Sequence, residues 1–371
     1  MLRRGSRVAI GVLGFALILA GAIPAQALTL PPLFLNLANS ATLAHPGIIV
    51  IDPLTSETIY SQGAEIGRAP ASVLKLFSMA TTLTALNPNQ TFETSLHETA
   101  KADTFIMQGS SDPWLTESPF EEHKYHRAFF PALINRLLVL HPNLKAITLE
   151  YNNVYALDVH ALQRYFSGRL TISPVKVNSV VDSTTQLAVI ASPPLAKIIE
   201  FTLLYSDNVL ADRLARISTR ALGFPPTVSG LQAAFEKTLT ELGISPAGLH
   251  IYDGNGLSHK TRVSALQVAD LLVAISKNPK FKVILAGLPI AGKTGTLKDR
   301  FVNDAPSAVG LVRAKSGWIN TTVSLAGFVT VGTNDYVFAI LANHIRNLES
   351  ARQAARMTID QMLGSIARPR N

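Results

Sequence analysis

Cysteine is absent from this chain of 371 residues. Its absence excludes disulfide bonds, thiolate catalysis and metal sites built on cysteine, so the folded state depends on its apolar core. Charged residues are also sparse, at 16% against 47% hydrophobic residues, which is typical of a globular chain and excludes a disordered one. No basic tract is interleaved with aromatic residues, so no nucleic-acid partner is predicted.

A long apolar run near the N-terminus predicts export. Three arginines precede the run, and Pro24–Ala27 ends it with an A-x-A pattern, which is the layout of a secretory signal peptide (1–27) cleaved after Ala27. The alternative is an uncleaved membrane anchor, although the run from Val8 to Ile23 is short beside the roughly 20 residues that a spanning helix needs. Under either interpretation we expect the protein on the extracellular, cell-wall side of the membrane.

The chain has an excess of basic residues, with a formal net charge of +8. Loss of residues 1–27 removes three arginines and no acidic residue, which leaves +5. A mildly basic exported protein can associate peripherally with a membrane surface or with anionic wall polymers. Simple solubility is the alternative reason for such a charge.

The apolar patterns predict an α+β chain whose two ends contribute to one antiparallel sheet. A strand hairpin is predicted at 47–61, three further strands at 310–342, and a closing amphipathic helix at 348–366. Helical patterns fill the middle of the chain, which we expect to form a mostly helical subdomain. The predicted middle helices are 195–205, 209–222, 232–242 and 265–276.

Residues 89–187 differ in character from the rest of the chain. They contain short alternating runs separated by polar turns, with one helix predicted near 127–140. We therefore predict an inserted β-rich domain over 89–187 and a main domain composed of 28–88 and 188–371.

Ser72 and Lys75 lie three residues apart at the start of an apolar helical run that follows Pro70. Positions i and i+3 share a helix face, so the Lys75 amine can reach the Ser72 hydroxyl. Burial lowers the pKa of a lysine, and a neutral lysine can activate a serine nucleophile. A second S-x-x-K, Ser173–Lys176, contains Pro174 in an extended stretch, so its serine and lysine are not expected to share a helix face.

A Ser-Asp-Asn motif follows between two predicted helices. A turning connector places Ser206 and Asn208 on one side of the chain. Ser206 can then pass a proton between Lys75 and a leaving group, while the Asn208 amide holds a substrate carbonyl. A helix N-cap is the alternative role for such a motif.

The third motif, Lys-Thr/Ser-Gly, occurs twice. Lys293–Gly295 has the flanks of a loop and a helix start, whereas Lys315–Gly317 ends a strand pattern. A strand edge can pair with an extended peptide, its lysine and hydroxyl can hold a carboxylate, and Gly317 leaves the backbone open to close approach. The sequence therefore favours Lys315, and Lys293 is the alternative.

These motifs and their order resemble penicillin-recognising D,D-peptidases. More narrowly, they resemble the class C low-molecular-mass penicillin-binding proteins, which are D-alanyl-D-alanine carboxypeptidases/endopeptidases. The resemblance implies a β-lactamase/transpeptidase-like fold, peptidoglycan stem peptides as substrates, β-lactam antibiotics as covalent inhibitors, and no metal or organic cofactor. Beyond the three motifs, the segments that are similar to the family are 68–72, 192–195, 206–212, 253–258 and 288–292.

The mechanism that the resemblance implies is serine acyl transfer. Ser72 attacks the carbonyl between two D-alanines, and Lys75 takes its proton. Ser206 relays a proton to the departing D-alanine, Asn208 and Lys315 orient the substrate, and water then hydrolyses the acyl-enzyme.

Ser316, Gly317 and Trp318 are the expected substrate-binding residues, and two of them depart from the family pattern. Ser316 replaces the commoner threonine but keeps its hydroxyl. Trp318 occupies a position where the family usually has a small hydroxyl residue, so we expect its ring to alter the cleft. Its backbone N–H can still complete an oxyanion hole with that of Ser72.

Two other functions stay open. A serine β-lactamase shares the three motifs, but class A enzymes use a glutamate-bound water, and no Glu-x-x-x-Asn element follows Ser206. A non-catalytic wall-binding protein with the same fold would not need the intact Ser72, Lys75 and Asn208, although Trp318 keeps this alternative open. The two histidines of Glu121–His126 are not followed by a third ligand at a spacing typical of metal sites, so no metal site is predicted.

Overall fold

The computed structural model describes residues 28–178 and 185–370. The predicted signal peptide, 1–27, lies outside these residues. Within the two described ranges, no helix is both long and apolar enough to cross a membrane.

The described residues form twelve strands and eleven α-helices. The strands are β1 (Gly47–Ile51), β2 (Thr58–Gln62), β3 (Glu93–Glu98), β4 (Thr104–Gly109), β5 (Leu115–Thr116), β6 (Ala128–Phe129), β7 (Ala146–Asn152), β8 (Thr171–Lys176), β9 (Gln186–Ala191), β10 (Val312–Ile319), β11 (Thr322–Val331) and β12 (Asn334–Ala342). The helices are α1 (Pro32–Ala38), α2 (Lys75–Ala85), α3 (Pro119–Tyr125), α4 (Pro131–Leu140), α5 (Ala156–Tyr165), α6 (Leu195–Tyr205), α7 (Asn208–Ala221), α8 (Val228–Glu241), α9 (Ala265–Lys277), α10 (Lys282–Gly287) and α11 (Glu349–Ile366).

The first sheet is antiparallel and has the strand order β10-β11-β12-β1-β2. Strands from both ends of the chain therefore meet in one sheet, which confirms the prediction. Side chains alternate between its two faces, and both faces are covered. On β12, Phe338 and Ile340 pack with α1 and α11, while Val337 and Ala339 belong to the core shared with α2 and α9.

All four predicted middle helices are present, although α8 begins at Val228 and not at 232. The starts of α7 and α9 were predicted closely because capping side chains mark them. The Asp207 side chain accepts a hydrogen bond from the Leu210 N–H at the start of α7, and Ser264 and Gln267 form a capping box at the start of α9. The sequence did not predict α1 and α10. Both are short, so they offer too few turns for an apolar period to stand out.

The segment between the two parts of the first sheet holds a second sheet, with the order β8-β7-β4-β3-β9. The prediction of one helix in this segment was wrong, since α3, α4 and α5 all lie within it. β7 pairs in parallel with both β4 and β8, and parallel neighbours need a crossover connection. Helices α4 and α5 supply those crossovers. Ser173 lies on β8, in extended backbone, so its spacing to Lys176 is that of a strand.

Candidate active site

The segment that carries Ser72 is a 3-10 helix, Ala71–Leu74, and α2 begins only at Lys75. The sequence predicted a regular helix from residue 72. A 3-10 helix has 3.0 residues per turn, so side chains at i and i+3 stack directly above one another. The Lys75 Nζ accordingly lies 2.8 Å from the Ser72 Oγ.

Lys75 is fully buried, and its amine has three polar neighbours. Its Nζ donates to the Ser72 Oγ, the Asn208 Oδ1 and the Asn255 backbone oxygen, each at 2.8 Å. Burial lowers the pKa of Lys75 to about 7, and the charges of Asp207 and Asp253 oppose that shift only in part. A large fraction of the amine is therefore neutral near pH 7 and can accept a proton.

The Ser206–Asn208 motif is a tight junction between two helices. Ser206 ends α6 with a φ of 58°, Asp207 caps the N-terminus of α7, and Asn208 is the first residue of α7. We expected Ser206 to lie beside Lys75. Instead, the Ser206 Oγ accepts from the Lys315 Nζ at 2.9 Å, and Asn208 is the residue that contacts Lys75.

Lys315 lies on β10, which is an edge strand of the first sheet. Strand alternation places Lys315 and Gly317 on the face toward the helical layer and the Ser72 turn. A Cβ at Gly317 would lie 2.7 Å from the Pro70 oxygen, so this close approach requires glycine. Lys315 is fully buried, and its pKa is lowered well below the usual lysine range, first by burial and then by the charge of Lys75.

Lys293, the alternative lysine, lies elsewhere. It is exposed on the turn that precedes a 3-10 helix, Gly295–Leu297. The neighbouring segment pairs with β10 only as far as Ala314, whose N–H donates to the Pro289 oxygen at 2.9 Å. The backbone of β10 from Lys315 onward is thus left facing the cleft.

The loop 253–258 supports the Ser72 turn, and the sequence assigned it no role in the site. Gly256 has a φ of +84°, and a Cβ there would lie 1.9 Å from the Ala71 oxygen. The Asp253 carboxylate holds the loop by accepting from the Gly256 and Ser258 N–H groups at 3.0 and 2.6 Å. The family-like segment quoted from the sequence was the signal that could have placed Asn255 in the site.

The predicted residues meet at a cleft of about 570 Å³. The Ser316 and Thr296 hydroxyl groups are hydrogen-bonded across one wall at 2.8 Å. Trp318 stands at the mouth with 37% of its surface exposed. Sequence reasoning did not place Thr296 or Arg356 in the cleft. The predicted residues that line it are Ser72, Ser206, Asn208, Ser316, Gly317 and Trp318.

In the segment Glu121–His126, the Glu121 carboxylate and the His126 backbone have other partners. The Glu121 carboxylate accepts from the Thr116 hydroxyl and pairs with Arg127 at 3.0 Å, and the His126 backbone oxygen accepts from the Trp114 indole. Over 28–178 and 185–370, no cluster of three histidine or acidic side chains could hold a metal ion.

A comparison with protein families assigns the chain. The model of the D-Ala-D-Ala carboxypeptidase 3 (S13) family matches residues 36–127 and 145–365. The chain belongs to this S13 family. Membership confirms the prediction of a serine-type D-Ala-D-Ala carboxypeptidase, which is a hydrolase.

Similar proteins support both the family and the fold. The carboxypeptidase DacB of Mycolicibacterium smegmatis is 25% identical over 366 aligned positions, which cover 83% of this chain and 79% of that protein. Penicillin-binding protein 4 (dacB) of Haemophilus influenzae superposes with a TM-score of 0.72 at 19% identity, covering 89% of this chain and 98% of that one. A second structure of that protein contains a β-lactam. These matches confirm the predicted β-lactamase/transpeptidase-like fold.

A third similar structure is a penicillin G-acylated predatory endopeptidase of Bdellovibrio bacteriovorus. Its TM-score is 0.61 at 17% identity, and the superposition covers 87% of this chain and 93% of that one. The likeness in fold therefore extends over most of both chains.

Proposed function

We propose that the protein cleaves the D-Ala-D-Ala bond of peptidoglycan stem peptides through an acyl-enzyme on Ser72. In this role it acts as a carboxypeptidase/endopeptidase of the class C low-molecular-mass penicillin-binding proteins. The observation that carries the proposal is the 2.8 Å contact between the Ser72 Oγ and the buried Lys75 amine, whose pKa is about 7. A neutral amine at that distance is suited to take the hydroxyl proton.

Acylation begins when Lys75 accepts the Ser72 proton and the Ser72 oxygen bonds to the scissile carbonyl carbon. The backbone N–H groups of Ser72 and Trp318 stabilise the oxyanion. Collapse breaks the C–N bond, and the leaving amine takes the proton that Lys75 removed from Ser72, relayed through the Ser206 hydroxyl, which is held by Lys315. Lys75 is then neutral again. Water then attacks the ester carbonyl carbon while neutral Lys75 takes a proton from it. The bond between the acyl carbon and the Ser72 oxygen breaks, the shortened peptide leaves as an acid, and Lys75 returns the proton to Ser72.

The residues around Ser72 and Lys75 orient the substrate. Asn208 presents its amide beside Lys75, and Ser316 and Gly317 continue the edge of β10 along the cleft. An extended stem peptide can add to that edge as a further strand. β-Lactams, which the two similar structures contain, are expected to acylate Ser72 in the same way.

We also propose that the protein acts outside the cytoplasmic membrane. The leader-like layout of residues 1–27 supports export, and the charge of +5 that remains without them supports loose association with anionic wall polymers or a membrane surface. Residues 89–187 are proposed as a domain inserted into the main domain of 28–88 and 188–371, because strands β3 to β8 fall within them, although the second sheet continues past residue 187 in β9.

Labelling with a fluorescent penicillin, followed by peptide mapping, tests the proposal. We expect one adduct, on the peptide that contains Ser72, and none in Ser72→Ala. Lys315→Ala should lose labelling, while Lys293→Ala, the matched lysine outside the cleft, should keep it. An adduct on another residue would contradict the mechanism, and loss of labelling in Lys293→Ala alone would contradict the choice of third motif. Rapid release of the hydrolysed penicillin would instead indicate a β-lactamase.

A further inference from the structure

The C-terminal helix contributes a cation to the cleft that the proposed mechanism does not use. Arg356, on α11, lines the cleft with Ser316 and Trp318 and is half-buried. Its Nε is buried without a hydrogen-bond partner. Among residues 28–178 and 185–370, its guanidinium donates no hydrogen bond and forms no ion pair. Because Arg356 lines the cleft, the N–H groups on its two terminal nitrogens can donate to a ligand bound there.

Two neighbouring arginines, Arg352 and Arg300, already have hydrogen-bond or ion-pair partners within the protein. Arg352, one helical turn earlier, donates to the Asn320 oxygen and to Asn347 at 2.9 Å, and stacks 5.6 Å from the centre of the Trp318 ring. Arg300 is buried and forms an ion pair with both carboxylate oxygens of Asp360. Asp360 lies within electrostatic range of Arg356, but Arg300 already takes up its charge.

The hydroxyl groups on this side of the cleft are few. The Ser316 hydroxyl is already hydrogen-bonded to Thr296, and Trp318 supplies no hydroxyl at the next outward position of β10. An anionic group on a bound peptide would therefore find little neutral hydrogen bonding along this strand. Arg356 lies beside these residues and offers a guanidinium fork that matches a carboxylate.

We propose that Arg356 binds the carboxylate of the leaving residue, next to the scissile bond. This inference rests on the proposed function and names the part of the substrate that the α11 wall recognises. Lys298 also lines the cleft, but it is exposed and is followed directly by the exposed Asp299, so solvent and an opposite charge weaken its field. Arg356 is half-buried, so water screens its charge less than that of Lys298, and it attracts a carboxylate more strongly.

Binding to the Ser72→Ala variant tests this assignment without turnover. The two ligands are diacetyl-L-Lys-D-Ala-D-Ala and the same peptide with a C-terminal amide. We expect the free acid to bind more tightly. Adding Arg356→Gln should weaken binding of the acid by roughly 10- to 100-fold and change that of the amide by less than about 2-fold, because only the acid loses a charge-assisted contact. Arg356→Lys should restore part of the difference.

Two control variants separate this role from general effects of charge. Arg346→Gln removes an exposed arginine that does not line the cleft and should leave both affinities unchanged. Lys298→Gln should have a smaller effect than Arg356→Gln. Equal weakening of both peptides, no change in either, a preference that depends on Lys298, or no binding of either peptide would each overturn the assignment. Penicillin labelling of wild-type Ser72 reports on the proposed function separately.

Discussion

Among the regions of the described structure that bury ionisable side chains, two do so with opposite charge. The cleft buries Lys75 and Lys315, whose amines contact hydroxyl, amide and backbone oxygens. The junction between the inserted segment and α7 encloses the carboxylates of Asp112 and Asp158 beside Arg213. In both regions, loss of water favours the neutral form of the group.

Arg213, on α7, links the two sides of this junction. Arg213 donates to an Asp158 oxygen at 2.5 Å, reaches the Pro113 backbone oxygen at 3.4 Å and lies 4.2 Å from the centre of the Tyr155 ring. Burial raises the pKa of Asp112 to about 7 and also raises that of Asp158, despite the opposing charge of Arg213. The second oxygen of each carboxylate is buried without a hydrogen-bond partner.

The difference shows that a shifted pKa does not by itself mark a reactive group. Lys75 touches a serine that opens onto the cleft, so its neutral form can take a proton from a nucleophile. Asp112 is only 1% exposed and instead accepts from the Trp114 N–H at 2.8 Å. We infer that burial in the cleft makes Lys75 a usable base. At the junction, burial of the carboxylates has no catalytic role and only lowers stability, because the inserted segment packs against α7 there.

The strongest test of this contrast is Lys75→Met. We expect the rate of penicillin acylation to fall by roughly 10³-fold, the range seen when a general base is lost. Stability should stay level or rise, because an apolar side chain of similar length replaces a buried amine. Stopped-flow acylation and urea unfolding measure the two effects. An acylation rate within tenfold of the wild type would contradict the role of Lys75.

Arg213→Met should instead lower stability and leave the acylation rate nearly unchanged. It leaves Asp158 buried without its partner, so we expect the free energy of unfolding to fall by about 3 kcal/mol. Acylation of the folded variant should change by less than about 3-fold. The double variant with Asp158→Leu should recover most of the stability, since both charges are then removed. An acylation defect as large as that of Lys75→Met would remove the distinction between the two regions.

The pH dependence of acylation should follow Lys75. The amine must be neutral to act as a base, and its pKa is lowered to about 7, so the rate should rise about tenfold per pH unit below pH 7 and level off above it. The second-order acylation rate between pH 5 and 9 measures this profile. Asp112→Asn provides the control and should leave the midpoint unchanged. A flat profile would mean that another group takes the proton.

Asp112→Asn should produce the smallest effect, and one confined to stability. The pKa of Asp112 is raised from 3.8 to about 7, so the folded state favours the protonated carboxyl, and its cost to stability grows as the pH rises between these values. The amide brings buried donors of its own. We therefore expect the variant to be stabilised by about 2 to 3 kcal/mol more at pH 8 than at pH 5, as measured by urea unfolding. Equal effects at both pH values would contradict the shifted pKa.

The first sheet and the long helices could be predicted because each carries its own periodic apolar pattern. The shorter elements could not, since one or two turns of helix such as α10 are too brief to establish a period. In the inserted segment, α5 went unpredicted because its pattern is weak, and parallel pairing of β7 depends on partners far along the chain.

The sequence by itself determined the family, the order of the three motifs and the preference for Lys315 over Lys293, because these depend on residue type and local pattern. Tertiary structure alone decided which groups touch. It joined Ser206 to Lys315 and Asn208 to Lys75, placed the Asn255 oxygen on the Lys75 amine, and brought Arg356 to the cleft. Contacts of this kind arise from the packing of distant segments around the edge of β10, and no local pattern encodes them.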